Sequence, residues 1–232
     1  ASKVAPITLD SMIRMSDFVV VGTVIRVEEV PLDHVWEATL GDSLTGLRVG
    51  EVRVDRWIKG AERSEPIVYL GSGTWTCDTT DANLDEKALF FFISPTTKET
   101  QPKSAQYERL FGSRPMLGVA HSGRGLMPLR TLDGVEYANC WVGDVRLPKT
   151  AQTVDGPEPQ YSFIRSVRLD WFEKEIARIS EAQRGPWFRA SVTASDLPGK
   201  PWDLQVYGDR RAKLRIGLGP DAVVREIVFD AD

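Results

Sequence analysis

Three groups of residues in this 232-residue chain are of types that do chemistry. The first is Asp81-Ala-Asn83-Leu-Asp85, with Asp78 and Glu86 beside it. Oxygen side chains at alternate positions are what a hard cation such as Ca²⁺ takes as ligands. An EF-hand loop would continue with Gly and close with a distal Glu; here Glu86 and Phe92 stand at those places. A solvated acidic loop is the leading expectation, and a cation site at Asp81, Asn83 and Asp85 is the alternative. The second group is His34, His121, Cys77 and Cys140, the chain's full set of histidines and cysteines. By type they could hold zinc, but they lack the paired short spacings of zinc modules. A cysteine nucleophile would need Cys77 or Cys140 to meet His121 in space. The third group is serine. Gly71-Ser72-Gly73 and His121-Ser122-Gly123 are not Gly-x-Ser-x-Gly elbows, and they read as turns. Gly123-Arg124-Gly125 is too short for a phosphate loop, and no Gly-Lys-Ser/Thr follows it. No cofactor is implied. A hydrolase site near His121 stays open as an alternative.

The seven tryptophans form a further set: Trp36, Trp57, Trp75, Trp141, Trp171, Trp187 and Trp202. Each buries a large area, so packing is the default. Trp36 and Trp75 fall in expected loops, where they could anchor a protein or glycan partner.

The elements that must position these residues are mostly strands. Ile7, Met12 and Met15 lie on one face of a short helix, with Thr8 or Asp10 as its cap. Phe18–Val27 is rich in β-branched residues and reads as a strand. Gly22 inside it suggests a bulge or a close backbone approach. A polar, irregular connection over 31–45 leads to strands at about 47–58 and 66–70, with Lys59-Gly60 as a turn between them. Ala88–Ile93 is the most apolar run and reads as a central strand buried on both faces. An exposed loop over 96–106 precedes strands at 116–121, 125–129 and 135–142, with Asp133-Gly134 as a hairpin turn. Residues 149–159 read as a linker. Asp170 and Glu173 have capping-box spacing at the head of a helix whose apolar stripe is Phe172, Ile176 and Ile179. Short strands at 187–192, 202–207, 212–216 and 223–229 follow. Residues 1–184 thus form the main β domain, and 185–232 a small β appendage expected to pack on it.

Bulk properties narrow the class. A hydrophobic fraction of 42% and a formal net charge of −4 are those of a globular protein without the basic footprint of a nucleic-acid binder. No apolar run approaches the length of a membrane-spanning segment. A start at Ala1 rather than Met fits removal of an export signal.

The stretch from Leu9 to Ile93 resembles an exported bacterial domain of the tissue inhibitor of metalloproteinases and netrin-module type. The resemblance is carried by the short helix, the strand Ser16–Val24, the strand Val52–Gly60 ending in Lys-Gly, and Trp75-Thr-Cys77 before Lys87–Phe92. It implies a mostly β fold: an OB-like, five-stranded Greek-key barrel with a short N-terminal helix, a helix after the barrel and a C-terminal β appendage. It also implies a periplasmic or extracellular place. The animal inhibitors chelate a protease's zinc through an N-terminal cysteine, which this chain lacks, so that chemistry is not carried over. In an oxidising compartment Cys77 and Cys140 would pair, closing a loop of roughly 60 residues at about 4 kcal/mol of chain entropy; two separate buried thiols are the alternative. The functional expectation is an exported, non-enzymatic binding module for a protein or glycan, with a hydrolase or a structural envelope protein as alternatives.

Overall fold

The structure, a computed structural model, describes residues 6–30, 47–72, 83–94, 105–121, 123–158, 160–182, 188–193, 203–208, 212–218 and 224–231. The fold is mostly β. Its centre is a closed five-stranded barrel made of β2 (Phe18–Val30), β3 (Leu47–Lys59), β4 (Ile67–Ser72), β5 (Lys87–Ile93) and β6 (Met116–Val119). β2, β3 and β4 form an antiparallel meander, β5 returns to lie antiparallel to β2, and β6 closes the ring. β6 runs parallel to β4 through Val68↔Met116 and antiparallel to β5 through Phe92↔Val119. This is the strand order of an OB barrel.

The bends that closure needs are visible in β2. Its pairing with β3 shifts register between Val19 and Val20, between Val21 and Gly22, and between Val24 and Arg26. A Cβ on Gly22 would run into Val52 and stand 2.8 Å from the Arg53 carbonyl. Gly22 therefore marks both a bulge and a close approach, each of which excludes a side chain.

β5 is the central strand. Ala88, Leu89, Phe90, Phe91 and Phe92 are all wholly buried. Ala88, Phe90 and Phe92 point into the barrel, where Phe90 and Phe92 stack 5.2 Å apart beside Tyr69. Leu89 and Phe91 point the other way, into a second core. α1 (Leu9–Met15) and α3 (Leu169–Ala182) roof that second core with Met12, Ile13, Phe172, Ile176 and Ile179. A third, smaller core lies under α2 (Ala105–Phe111), where Tyr107 and Phe111 cover Val49, Val68 and Met116.

The helices are held by local chemistry. Thr8 caps α1 by accepting the Ser11 amide through Oγ1 at 3.2 Å. The Lys59 ammonium donates to the carbonyls of Ile13 and Ser16 at 2.6 and 2.7 Å, satisfying the far end. Burial pushes the Lys59 amine down to about 8, against the pull of Asp17. α2 is capped in the same way, with Arg26 donating to the Leu110 carbonyl and Arg114 to that of Phe111. α2 falls where the sequence suggested an exposed loop up to residue 106. It is a correction: Tyr107, Leu110 and Phe111 do carry helical spacing, and Gly112 at φ 65 ends it.

Beyond the barrel the sheet continues from β5 through β7 (Leu126–Leu132), β8 (Val135–Trp141), β11 (Ile164–Arg168) and β10 (Thr153–Asp155). Asp133 and Gly134 join β7 to β8 with φ of 49 and 77, the left-handed pair of a type I′ hairpin turn. Two expectations are corrected here. The segment read as a linker contains β10, which pairs with β11 through Val154↔Ser166. Asp170 sits within the first turn of α3 and does not cap it: its carboxylate takes Arg168, while Glu173 takes Arg56 from β3. The remaining strands are β1 (Ile7–Thr8), parallel to β9 (Val145–Arg146).

The chain divides into two compact units, 1–180 and 181–232. The second contains two antiparallel hairpins, β12 (Phe188–Thr193) with β13 (Asp203–Gly208) and β14 (Ala212–Leu218) with β15 (Val224–Ala231). No helix among the described residues is long and apolar enough to cross a membrane.

Candidate binding site

The site grows out of a branch in the sheet. One edge of β5 is shared by two strands: β6 takes Phe92 and Ile93, and β7 takes Ala88, Leu89 and Phe90. Between them the chain makes a small excursion over residues 120–125, pinned at Phe91. The Phe91 carbonyl accepts the Ala120 amide, and the Phe91 amide donates to the Gly125 carbonyl, both at 2.8 Å. Gly125 fits closely there: a Cβ would press on Phe91 and Ala120 at 3.0–3.1 Å. β6 stays with the barrel and β7 leaves it.

From the branch outward, one face of the sheet changes from apolar to polar and aromatic side chains. Leu126 on β7 still faces the barrel interior. Two residues per repeat further on, the same face carries Arg130, which opposes Tyr137 on β8, which in turn opposes Arg168 on β11. Asn139 and Ser166 come next, joined by a hydroxyl donated to Asn139 Oδ1 at 2.7 Å, and then Trp141 opposite Ile164. The other face of β8, Ala138 and Cys140, points into the core under α1 and α3.

At the Trp141 end three rings follow one another. Trp141 lies 5.1 Å from Phe163, and Phe163 lies 5.2 Å from Tyr161, with interplanar angles of 32° and 37°. Phe163 and Tyr161 are 41% and 42% exposed, unusual for large apolar side chains. The Arg124 guanidinium lies over the Trp141 ring, 4.3 Å from its centre. It also donates from Nε to Asp144 Oδ2 at 2.5 Å. Arg124 is buried and Asp144 is partly open to solvent. Asp144 is itself placed by its amide, which donates to the Trp141 carbonyl at 3.0 Å. The arrangement is a ribbon of ring faces with a charge-neutral Arg–Asp pair at its edge. Such a surface can stack flat or CH-rich groups and hydrogen-bond polar ones.

The residues singled out from sequence are distributed as follows. His121 lies in the 120–125 excursion at φ 53, and its carbonyl accepts the Arg124 amide at 3.0 Å; it thus belongs to the loop that presents Arg124. Cys140 is a free thiol, wholly buried in the core under the helices. Burial, with Asp144 nearby, pushes it up to about 12. The expected bond from Cys140 to Cys77 is not formed: the thiol faces a closed apolar core, where a free cysteine packs as a small hydrophobe. Asn83 and Asp85 are exposed in a turn bound to Val24 in the middle of β2, where the Asn83 amide meets Glu86 Oε2 at 3.5 Å. Among the described residues no cluster of His, Cys, Asp and Glu could hold a metal ion. His34, Trp36, Trp75, Cys77 and Asp81 lie outside the described residues, as does the connection over 31–45.

A second depression, an open groove of about 290 Å³, lies between Gly134–Glu136 and the start of α3. Its charges satisfy one another: Arg56 with Glu173 at 2.5 Å, Lys87 with Glu136 at 2.8 Å, Arg168 with Asp170 at 2.7 Å. It is a laced surface between helix and sheet.

Sequence reasoning assigned Trp141 to packing, weighed Arg124 only as part of a phosphate loop too short to serve, and passed over Tyr161 and Phe163. The signal was present in β8, where Tyr137, Asn139 and Trp141 alternate with Ala138 and Cys140. Compared with known protein-family models and with curated proteins, the chain matches none.

Proposed function

We propose that this protein is an exported, non-enzymatic binding module that holds its ligand on the open face of the second sheet. The observation that carries the reading is the pair of exposed rings Phe163 and Tyr161, continued by a half-buried Trp141 with Arg124 stacked on it. Large apolar side chains left in solvent beside hydrogen-bonding groups mark recognition surfaces. The barrel's strand order is the one the family resemblance implies; export and a non-catalytic role are proposed on that resemblance. OB barrels commonly bind on one face or in their loops.

Hydrogen exchange tests the reading. The protein is incubated with envelope extract from the organism that makes it, and backbone protection is mapped. Protection concentrated at 137–142 and 161–165, and lost in the Tyr161→Ala/Phe163→Ala double variant, is the expected result. Turnover of ester or peptide substrates that disappears in His121→Ala, without protection of the ring series, overturns it in favour of a hydrolase.

A further inference from the structure

We infer that the ring series takes an uncharged saccharide, laid with the CH face of its sugar rings on Phe163 and Tyr161 and its hydroxyls at the Arg124–Asp144 edge. The inference rests on the proposed binding face and adds the chemical class of its ligand. Two properties of the site decide the class. The first is the balance of charge. Arginine next to aromatic rings is also how single-stranded nucleic acids are gripped, but such grooves keep their positive charge for the phosphates. Here Asp144 neutralises Arg124 at 2.5 Å, and Asp170 neutralises Arg168 at 2.7 Å. Arg130 is tied to the Asp155 carbonyl, and Arg165 to the Asp155 carboxylate. The chain as a whole carries a net charge of −4. A polyanion would find its counter-charges already taken and a carboxylate at the edge of its seat.

The second property is the chemistry of the surface itself. The solvent-open part of the ring series is Phe163 and Tyr161, near neighbours along the chain and tilted by 37° to each other, with Trp141 half-buried against Phe163. A pyranose has a hydrophobic CH face and a rim of hydroxyls that both donate and accept. The ribbon matches the first, and a carboxylate paired with a guanidinium matches the second, because together they accept and donate along one edge. Asp144 Oδ2 faces Arg124, and the carboxylate is partly open to solvent.

The test is a titration of the full-length, ¹⁵N-labelled protein with cellohexaose and with chitohexaose, both neutral and built of flat, equatorially linked rings. A sulfated oligosaccharide and single-stranded oligothymidylate are titrated in parallel. The expected result is saturable shifts at residues 137–142 and 161–164 with a neutral hexaose, weakened at least about tenfold in Phe163→Ala, which corresponds to about 1.4 kcal/mol. Tyr161→Ala should act in the same direction. Asp144→Asn, which keeps a hydrogen-bonding edge but unbalances Arg124, should weaken the neutral sugar and strengthen the sulfated one. Shifts at these residues with the sulfated sugar or the oligothymidylate, and none with either hexaose, overturn the saccharide inference and leave the binding face standing. No shift there with any of the four also overturns it. Protection of the same residues by envelope extract then shows separately whether the binding face survives.

Discussion

The barrel interior and the open face of the second sheet are one surface, followed from β2 and β5 to β8 and β11. On the barrel side it carries Val20, Ala88, Phe90 and Phe92, all wholly buried. On the far side of the branch it carries Arg130, Tyr137, Asn139 and Trp141. The barrel strands are bent by register shifts that the β7–β8–β11 pairings lack. The regions differ also in closure: β6 wraps the first region into a ring, and β7 carries the second out into the open. A core is thus made by topology as much as by hydrophobicity, and the residues read out which side of the branch they occupy.

Substitutions can break or sharpen this contrast. Phe91→Ala and Phe90→Ala, on opposite faces of β5, should each cost about 3–5 kcal/mol in urea unfolding, since neither site can collapse around the gap. A cost below about 1 kcal/mol at either would mean that one face of β5 is not core. Gly50→Ala comes next. A Cβ there would fall within the Tyr69 ring, 2.6 Å from Cζ, and overpacking of this kind costs about 1–3 kcal/mol. A neutral Gly50→Ala would show that Tyr69 is free to move inside the barrel.

The third expectation concerns alkaline pH. Cys140 is raised from 9.0 to about 12 and Tyr107 from 10.0 to about 12, both by burial. In each case the unfolded chain loses its proton first. Stability should therefore be unaffected by these groups below about pH 9 and fall between pH 9 and 12, by up to about 1.4 kcal/mol per pH unit for each group. Lys59, lowered from 10.5 to about 8, works in the opposite sense and raises stability as pH climbs from 8 to 10.5. Unfolding midpoints across pH 7–11 for wild type, Cys140→Ala and Lys59→Met separate the contributions. A Cys140→Ala profile parallel to wild type above pH 9 would place the thiol nearer solvent. The smallest effect belongs to the open face: Phe163→Ala and Tyr161→Ala should each change stability by under about 1 kcal/mol, because both rings are already partly in water. A loss comparable to that of Phe91→Ala would turn the open face into core.

The legibility of these regions from sequence follows the same division. Ala88–Ile93 announced itself because burial on both faces removes every polar residue from a strand. Asp133-Gly134 was readable because two successive left-handed residues admit few side chains. Gly22 was readable because a bulge and a close approach both demand its hydrogen. α2 was not, since seven residues hold only two turns and Tyr107, Leu110 and Phe111 are too few to outweigh the polar stretch before them. β11 was hidden by Arg165 and Arg168, whose charges are satisfied by Asp155 on the neighbouring strand and by Asp170 at the start of α3. The ring series was hidden for a different reason. Trp141, Phe163 and Tyr161 become neighbours only through the pairing of β8 with β11, and Arg124 reaches them from a loop made by the branch at β5. Pairing between strands leaves little trace in either strand alone.

The parallel contact between β4 and β6 also sets an order of events in time. Val68 meets Met116 across almost fifty residues of chain, whereas Leu132 meets Val135 across a two-residue turn. Loop closure makes distant pairings slow and local ones fast. During synthesis, β2 to β5 emerge before the strand that seals them, and the Phe90–Phe92 side of β5 waits exposed until residues 116–119 arrive. The β7–β8 hairpin follows within a few residues and can form at once, competing for the same edge of β5. The excursion at 120–125 settles this competition, since its two hydrogen bonds to Phe91 assign one half of that edge to each strand. A residue larger than glycine at position 125 would be felt first as a slower and more aggregation-prone refolding, before it registered as a loss of equilibrium stability.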